Sequence, residues 1–196
     1  MEQVAAAAAA ADMSIGGAAG GGKASDHIIT TQQNVIMTSK TGKIDLLRRL
    51  VDELGEEKTA IIFVKGVDAA DNIAKNLGKE VTTVSGCMSP DQRNINLQEF
   101  RAKRYNILVA TELASRVMKL PEVSHVINYD MPHHIKYYTH RVRRAGNTGI
   151  ATTFLTLLDT QVFYDLNQML IKNNIPVPLK LARHYASKIK YGFNSW

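Results

Sequence analysis

The chain has 196 residues, enough for one domain with a sizeable core, and its single cysteine, Cys87, excludes an intrachain disulfide and a cysteine-rich metal site. Its 24 Lys and Arg against 18 Asp and Glu give a net charge of +6, which is typical of proteins that bind nucleic acid and equally compatible with a well-solvated surface. No apolar run is long enough to cross a membrane, and the cysteine usage suits a reducing compartment.

Residues 1–26 form a leader rich in alanine and glycine, which we expect to be disordered. Glu2 occupies a place where a secretory signal carries positive charge, and the arginines of a transit peptide are missing. The stretch "GAAGGGKA" falls one residue short of a P-loop, because Ala24 replaces the Ser or Thr whose hydroxyl binds magnesium. No buried strand precedes this stretch, so biased composition explains it better than a phosphate site does.

From about His27 onward, apolar runs alternate with helical patterns. The periodicity predicts helices over 43–54, 67–77, 89–101, 112–117, 133–144 and 160–174, and strands over 59–64, 81–84, 105–111, 125–130 and 150–156. Ser89 as N-cap, Pro90 at the first helical position and Gln92 predict a capping box on the third helix. This alternation predicts an α/β fold with a mostly parallel β-sheet and helices on both faces.

Polar residues follow the predicted strands at their carboxyl ends, where parallel sheets bind ligands. They are Lys65 and Gly66, Ser85 and Gly86, Thr111 and Arg116, and Asp130 and Pro132. Thr111 offers a hydroxyl at the start of a helix, which suits a phosphate, although capping of the helix is the simpler interpretation for the isolated motif.

Several residues that could suggest chemistry have plainer explanations. His133 and His134 are adjacent and have no third ligand at a suitable spacing, so we predict a polar surface and no metal site. Of Tyr137 and Tyr138, we expect one to pack in the interior and the other to be exposed. Cys87 has no predictable activating base, so a buried or inert thiol is favoured over a nucleophile.

The order of the motifs "AIIFVK", "SPDQR", "ILVATELASR", "HVINYDMP", "YTHRVRRAG" and "TFLT" resembles the second lobe of DEAD-box ATP-dependent RNA helicases, from about residue 27 to 190. The tail "FYDLNQMLIKNNIPVPLKLARHYASK" and the entry "QQNVIMTSKTGK" look most like the subgroup of the spliceosomal tri-snRNP. The resemblance implies a RecA-like lobe of the P-loop NTPase superfamily, without the P-loop itself, over 27–175. A C-terminal extension then follows over 176–196.

In that family two lobes close on ATP and RNA, and the second lobe directs arginines at the terminal phosphate. The family motif His-Arg-x-Gly-Arg-x-Gly-Arg begins here at His140, so the implied catalytic residues are His140, Arg141 and Arg144. In this motif Arg144 takes the place of one arginine finger, and Asn147 takes the place of the other. A neutral amide cannot offset the charge that develops in the transition state. Arg143 occupies a position where the family motif has glycine, and it adds bulk and charge there.

The resemblance also implies a platform for single-stranded RNA. Its residues are Lys65, Gly86, Arg93, Thr111 and Arg116, which would contact sugar and phosphate without reading bases, so affinity should fall as salt rises. The family's Arg-Gly-x-Asp ends here at Lys119, so the aspartate expected to contact the nucleotide ribose is replaced by a cation.

The sequence carries no credible P-loop and no Asp-Glu-Ala-Asp string. We therefore expect ATP and Mg²⁺ to bind only if another lobe completes the site, and do not expect this chain to hydrolyse ATP unaided. The expected partners are single-stranded RNA and either a first helicase lobe or spliceosomal proteins. The resemblance implies a nuclear location, and a cytoplasmic location is the alternative. The alternatives are a non-catalytic module that binds RNA or protein, and a truncated gene product without activity.

Overall fold

The computed structural model describes residues 31–78 and 81–190, without the side chains of residues 115–117. The predicted leader at 1–26, with its P-loop-like stretch, lies outside the described residues. Within them, no helix is long and apolar enough to span a membrane.

The described residues form a six-stranded sheet in which every pairing is parallel. Its strands are β1 Gln32–Met37, β2 Ala60–Val64, β3 Val81–Val84, β4 Ile107–Thr111, β5 His125–Asn128 and β6 Ile150–Leu155. The spatial order is β1-β6-β5-β2-β4-β3. The predicted parallel sheet is confirmed, and all five predicted strands occur within a few residues of their expected bounds.

Helices join the strands and cover both faces of the sheet. They are α1 Lys43–Asp52, α2 Val67–Leu77, α3 Pro90–Arg101, α4 Glu112–Val117, α5 Ile135–Val142, α6 Phe163–Lys172 and α7 Leu179–Arg183. Short 3₁₀ turns follow α5 at Arg143–Ala145, precede α6 at Thr160–Val162 and follow α7 at Tyr185–Ser187. α5 begins later than predicted because His134 is extended, with φ −132° and ψ 139°.

Two apolar cores, one on each face, explain why β2 is continuously hydrophobic. Side chains alternate along β2, so that Ile61 and Phe63 enter one core, and Ile62 and Val64 enter the other. The first core lies under α3, α4, α5 and α6, and the second lies under α1 and α2. A strand buried on both faces needs apolar residues at every position, and the sequence "AIIFV" meets that requirement.

The strand β1, like the helix α7, was missed by sequence patterning. It pairs with β6 at the sheet edge, in the register Gln32 to Ile150 through Met37 to Leu155. Its buried Gln33 accepts a hydrogen bond at Oε1 from the Tyr138 hydroxyl, 2.8 Å away. A polar residue therefore fills a buried position, and the apolar alternation that marks a strand is absent.

The N-terminus of α3 is capped as predicted, by half of the capping box. Ser89 Oγ accepts from the Gln92 N–H at 3.2 Å, and Pro90 occupies the first helical position. The Gln92 side-chain amide donates to Asn96 Oδ1 at 2.8 Å, one turn along the helix. Such a cap contributes about 1 kcal/mol and fixes the start of the helix that follows β3.

Candidate functional site

The carboxyl ends of four neighbouring strands, β5, β2, β4 and β3, bring the predicted polar residues to one edge of the sheet. In spatial order these ends carry Asp130, Lys65, Thr111 and Gly86. Because all strands run in the same direction, the loops lie side by side. The structure thus brings together residues that are up to 65 positions apart in the chain.

An ion pair at this edge joins α1 to β5. Lys43 Nζ lies 2.8 Å from Asp130 Oδ1, and Asp130 Oδ2 accepts from the Lys65 N–H at 3.0 Å. The Lys43 side chain is buried, with its ammonium 5.3 Å from the centre of the Tyr129 ring. Burial, and then the charge of Asp130, raise the pKa of Tyr129. Asp130 thus fixes the loop from which the exposed Lys65 projects.

Sequence analysis did not single out Lys43. A cation at the first position of a helix is disfavoured by the helix dipole, so its presence there could have indicated a nearby carboxylate. Nothing in the local pattern identifies Asp130, 87 residues away, as that carboxylate.

Arg93 holds the loop that follows β3. Its Nη1 donates to the Met88 carbonyl at 3.1 Å and to the Gly86 carbonyl at 3.4 Å. A Cβ at Gly86 would overlap the end of the exposed Leu113 side chain, so a larger residue here would displace that leucine. The guanidinium is half-buried, and its remaining donors can bind an anion above the loop.

Thr111 ends β4 and immediately precedes α4. Its side chain makes no capping hydrogen bond, which argues against the simple capping role. Oγ1 is buried and has no hydrogen-bond partner among the described residues. A hydroxyl in this state costs about 1–3 kcal/mol unless a ligand or water satisfies it. Arg116 was predicted to lie beside Thr111, but its side chain is not among those that the structure describes.

Arg141 lies inside the fold. It is 3% exposed; Nη1 donates to the Asp130 carbonyl at 2.9 Å, and Nη2 lies 3.5 Å from Glu112 Oε2. Its guanidinium also lies 5.0 Å from the centre of the Phe63 ring. Arg141 therefore connects β5, α4 and β2 from its place on α5. His140, the preceding residue, is exposed.

The turn after α5 packs against the loop that enters β5. Arg144 Nη1 donates to the Leu120 carbonyl at 3.0 Å, and the Arg144 carbonyl accepts from the Val123 N–H at 2.8 Å. Gly146 has φ +60°, which favours glycine at the end of this turn. Arg143 and Asn147 are exposed, so the extra charge of Arg143 is directed to solvent.

The remaining predicted residues are placed as follows. Tyr138 is fully buried, as predicted for one of the two tyrosines, and burial raises its pKa. Tyr137 is only partly exposed, with its ring against His134, so the expected exposure of the second tyrosine is met in part. Cys87 is exposed on the loop after β3, so of the two expected states, a buried or an inert thiol, the buried one is wrong and the inert one stays a prediction. His133 and His134 are exposed. Among the described residues, no group of three or more His, Cys, Asp or Glu could hold a metal ion.

Comparison with known proteins identifies the lobe. Residues 42–149 match the family model described as the helicase conserved C-terminal domain. The chain belongs to this family. The rice (Oryza sativa subsp. japonica) DEAD-box ATP-dependent RNA helicase 21 is 50% identical to it over 166 residues, which cover 82% of this chain and 22% of the rice protein.

Two solved structures match most of the chain. RNA-helicase Prp28 from Chaetomium thermophilum bound to ADP is 34% identical, with a TM-score of 0.70 over 79% of this chain and 40% of that chain. The yeast DEAD-box splicing factor Prp28 is 26% identical, with a TM-score of 0.74 over 89% of this chain and 40% of that chain. The predicted RecA-like second lobe of a DEAD-box helicase is confirmed, as is its similarity to splicing helicases. The helicase lobe spans about a fifth of the rice relative's length.

In the arginine motif of this helicase lobe, Arg141 and Arg144 bond to oxygens of the protein itself. Arg141 is buried and bonded to protein oxygens, Arg144 donates to the Leu120 carbonyl, and Asn147 carries no charge. Phosphate binding needs cationic donors that converge on one exposed point. The assignment of His140, Arg141 and Arg144 as catalytic residues stays a prediction.

Proposed function

We propose that this helicase C-terminal lobe binds single-stranded RNA through its sugar-phosphate backbone, along the carboxyl edge of β5, β2, β4 and β3. One observation carries the proposal: the buried Thr111 hydroxyl has no partner among the described residues, at the edge that also displays Lys65 and Arg93. A hydroxyl can donate to a phosphate oxygen or bond a ribose hydroxyl. None of these three groups can read a base from the backbone side, so binding should be independent of sequence.

The process we propose is ATP-dependent RNA remodelling in pre-mRNA splicing, and hence in the nucleus. Its support is the names of the relatives, which include an ATP-dependent RNA helicase and a splicing factor. Spliceosomal proteins are the partners that this process implies.

We further propose that the chain does not hydrolyse ATP alone and that ATP and Mg²⁺ require a first helicase lobe. The support is the arginine motif, whose buried or bonded guanidiniums and neutral Asn147 leave the phosphate without convergent cations. The same observation favours a second candidate, a non-catalytic RNA-binding module. The two differ in whether ATP and a first lobe change RNA affinity.

The test is Thr111→Val, which removes the hydroxyl and preserves the shape of the side chain. Since the hydroxyl has no partner in the described part of the chain, the variant should unfold at an equal or higher urea concentration, yet bind a labelled oligouridine several-fold more weakly in fluorescence anisotropy. Lys65→Ala should also weaken binding and lower the slope of log K against log salt by about 0.7.

Thr152→Val is the matched control, because its hydroxyl lies 2.9 Å from His125 Nε2, on β6 and away from the proposed platform. It should lose stability and keep RNA affinity. Equal RNA affinity in Thr111→Val and in the wild type would contradict the platform.

A further inference from the structure

The positive charge of this chain is concentrated near its C-terminus. Residues 166–196 contain five Lys and Arg and no Asp or Glu, whereas residues 1–165 contain 19 Lys and Arg and 18 Asp and Glu. The segment therefore accounts for +5 of the net +6. The rest of the lobe is nearly neutral, so the charge that suggested a polyanion ligand belongs mainly to this segment.

The described part of the segment presents its cations outward from a fixed scaffold. Leu181 of α7 and Ala186 of the following 3₁₀ turn are fully buried in the core beneath α6. Besides Lys172, which has a partner, the exposed cations are Lys180, Arg183, Lys188 and Lys190, and none of these four forms an ion pair with an acidic group among the described residues. Their charge is thus available to an external partner.

An exposed aromatic ring lies among these cations and is held in place. The His184 ring contacts the Phe163 ring edge-on, with centroids 5.0 Å apart, and its Nδ1 accepts from the Ala186 N–H at 3.2 Å. Tyr185 stacks on His184 at 4.8 Å with an interplanar angle of 29°, and remains 61% exposed. The histidine therefore supports the Tyr185 ring, much of which stays open to solvent.

We propose that residues 179–190 form a second contact for single-stranded RNA, in which phosphates bind the four cations and a base stacks on Tyr185. Cations that track a backbone beside a stacking ring are the features that single-stranded nucleic acid requires. An acidic peptide would bind the four cations and give the Tyr185 ring no role, so the exposed ring favours RNA as the ligand. The inference rests on the proposed function only in taking RNA as the ligand.

This surface is separate from the Thr111 platform. His184 packs on Phe163, the first residue of α6, which follows β6, and in the sheet β6 is separated from β2 by β5. An RNA strand long enough to reach both would be held at two places on the lobe. Affinity should then increase with RNA length beyond what the platform alone provides.

The experiment compares two fourfold charge-neutralised variants of the full chain. The test variant is Lys180→Gln, Arg183→Gln, Lys188→Gln, Lys190→Gln, and the control is Arg49→Gln, Lys58→Gln, Lys75→Gln, Lys103→Gln, which removes three lysines and one arginine from exposed positions elsewhere. Oligouridine affinity is measured between about 50 and about 200 mM potassium chloride. The test variant should bind at least tenfold more weakly and lose about 2 to 3 units of salt slope, and the control should change little.

Two further variants test the ring. Tyr185→Ala should weaken binding about fivefold or more, and Tyr185→Phe should retain wild-type affinity because it keeps the stacking face. Equal losses in the two fourfold variants would overturn the proposal, since they would show a general effect of net charge. An unchanged affinity in Tyr185→Ala would overturn it too, and would indicate a surface for acidic proteins.

Failure of this inference is distinguishable from failure of the proposed function. If only Thr111→Val and Lys65→Ala weaken binding, the platform is correct and the second contact is wrong. If only the residue 179–190 variants weaken it, the second contact is correct and the platform is wrong. Circular dichroism melting of each variant checks that the fold is retained.

Discussion

At the scale of single residues, Thr111 and Arg141 show two opposite uses of a buried polar group. Arg141 is surrounded by oxygens from Asp130 and Glu112 and fixes elements together. Thr111 has no such partner among the described residues, although it is 4% exposed. Because an unsatisfied buried group lowers stability, its position at the ligand-binding edge of a parallel sheet points to an external partner.

His125, at the start of β5, provides a prediction about pH. Burial, and secondarily the charge of Lys58, lower its pKa from 6.5 to about 4. The His125 imidazole takes up a proton below about pH 6.5 in the unfolded chain and only near pH 4 in the folded chain. Protonation of His125 therefore does not reduce the free energy of unfolding above pH 6.5. We expect this free energy to fall progressively from there towards pH 4, by a few kcal/mol.

Urea denaturation at pH 7, pH 6 and pH 5 measures this effect. His125→Gln cannot titrate, so its unfolding free energy should fall less over this range than that of the wild type. His140→Gln is the control, because His140 is exposed and the variant keeps His125. An undiminished decline in His125→Gln would show that other groups cause the acid sensitivity.

At the scale of elements, Asp130 joins the start of α1 to the loop after β2, and we predict that this contact stabilises the edge. Asp130→Asn keeps the shape and removes the charge that balances the buried Lys43 ammonium. An unpaired buried cation should lower the free energy of unfolding by about 2 to 3 kcal/mol in urea denaturation. Adding Lys43→Met should recover part of that loss, because no buried charge then remains.

Glu99→Gln is the control for this prediction. It breaks the Arg104–Glu99 pair, whose side chains are 70% and 30% exposed, and such surface pairs contribute less than about 1 kcal/mol. If Asp130→Asn costs no more than Glu99→Gln, the Lys43–Asp130 pair does not hold the edge together.

The elements also show which parts of the fold the sequence could predict. β2 is apolar at every position, and β4 at every position before its last residue, Thr111, because both faces are covered, and that pattern is visible in the sequence. β1 is not visible as a strand in the sequence, because a tertiary hydrogen bond between Gln33 and Tyr138 replaces an apolar contact. The edge residues were predictable because parallel strands end together. The direction of the Arg144 side chain was not predictable, because it depends on a hydrogen bond to the Leu120 carbonyl, 24 residues away.

At the scale of the whole molecule, this lobe contributes positive charge to RNA in at least two proposed places and little to a nucleotide. The sheet edge and residues 179–190 display cations to solvent, whereas Arg141 and Arg144 are bonded to protein oxygens. Under these proposals the lobe binds RNA without a nucleotide. The place of the second arginine finger is taken by Asn147, which is exposed at the turn after α5.

Restoring the missing arginine tests for a role in ATP hydrolysis. An arginine finger is worth on the order of 10³ to 10⁵ in the rate of phosphoryl transfer. We expect no RNA-stimulated phosphate release from the chain alone, and at least a tenfold increase when Asn147→Arg is mixed with a first lobe from a DEAD-box relative. Asn147→Lys should gain less, because an ammonium lacks the planar fork of donors. Since Asn147→Gln stays neutral, it should gain nothing. If Asn147→Arg also gains nothing at saturating first lobe, this chain does not complete an ATP site in trans, and the non-catalytic RNA-binding module is the correct alternative.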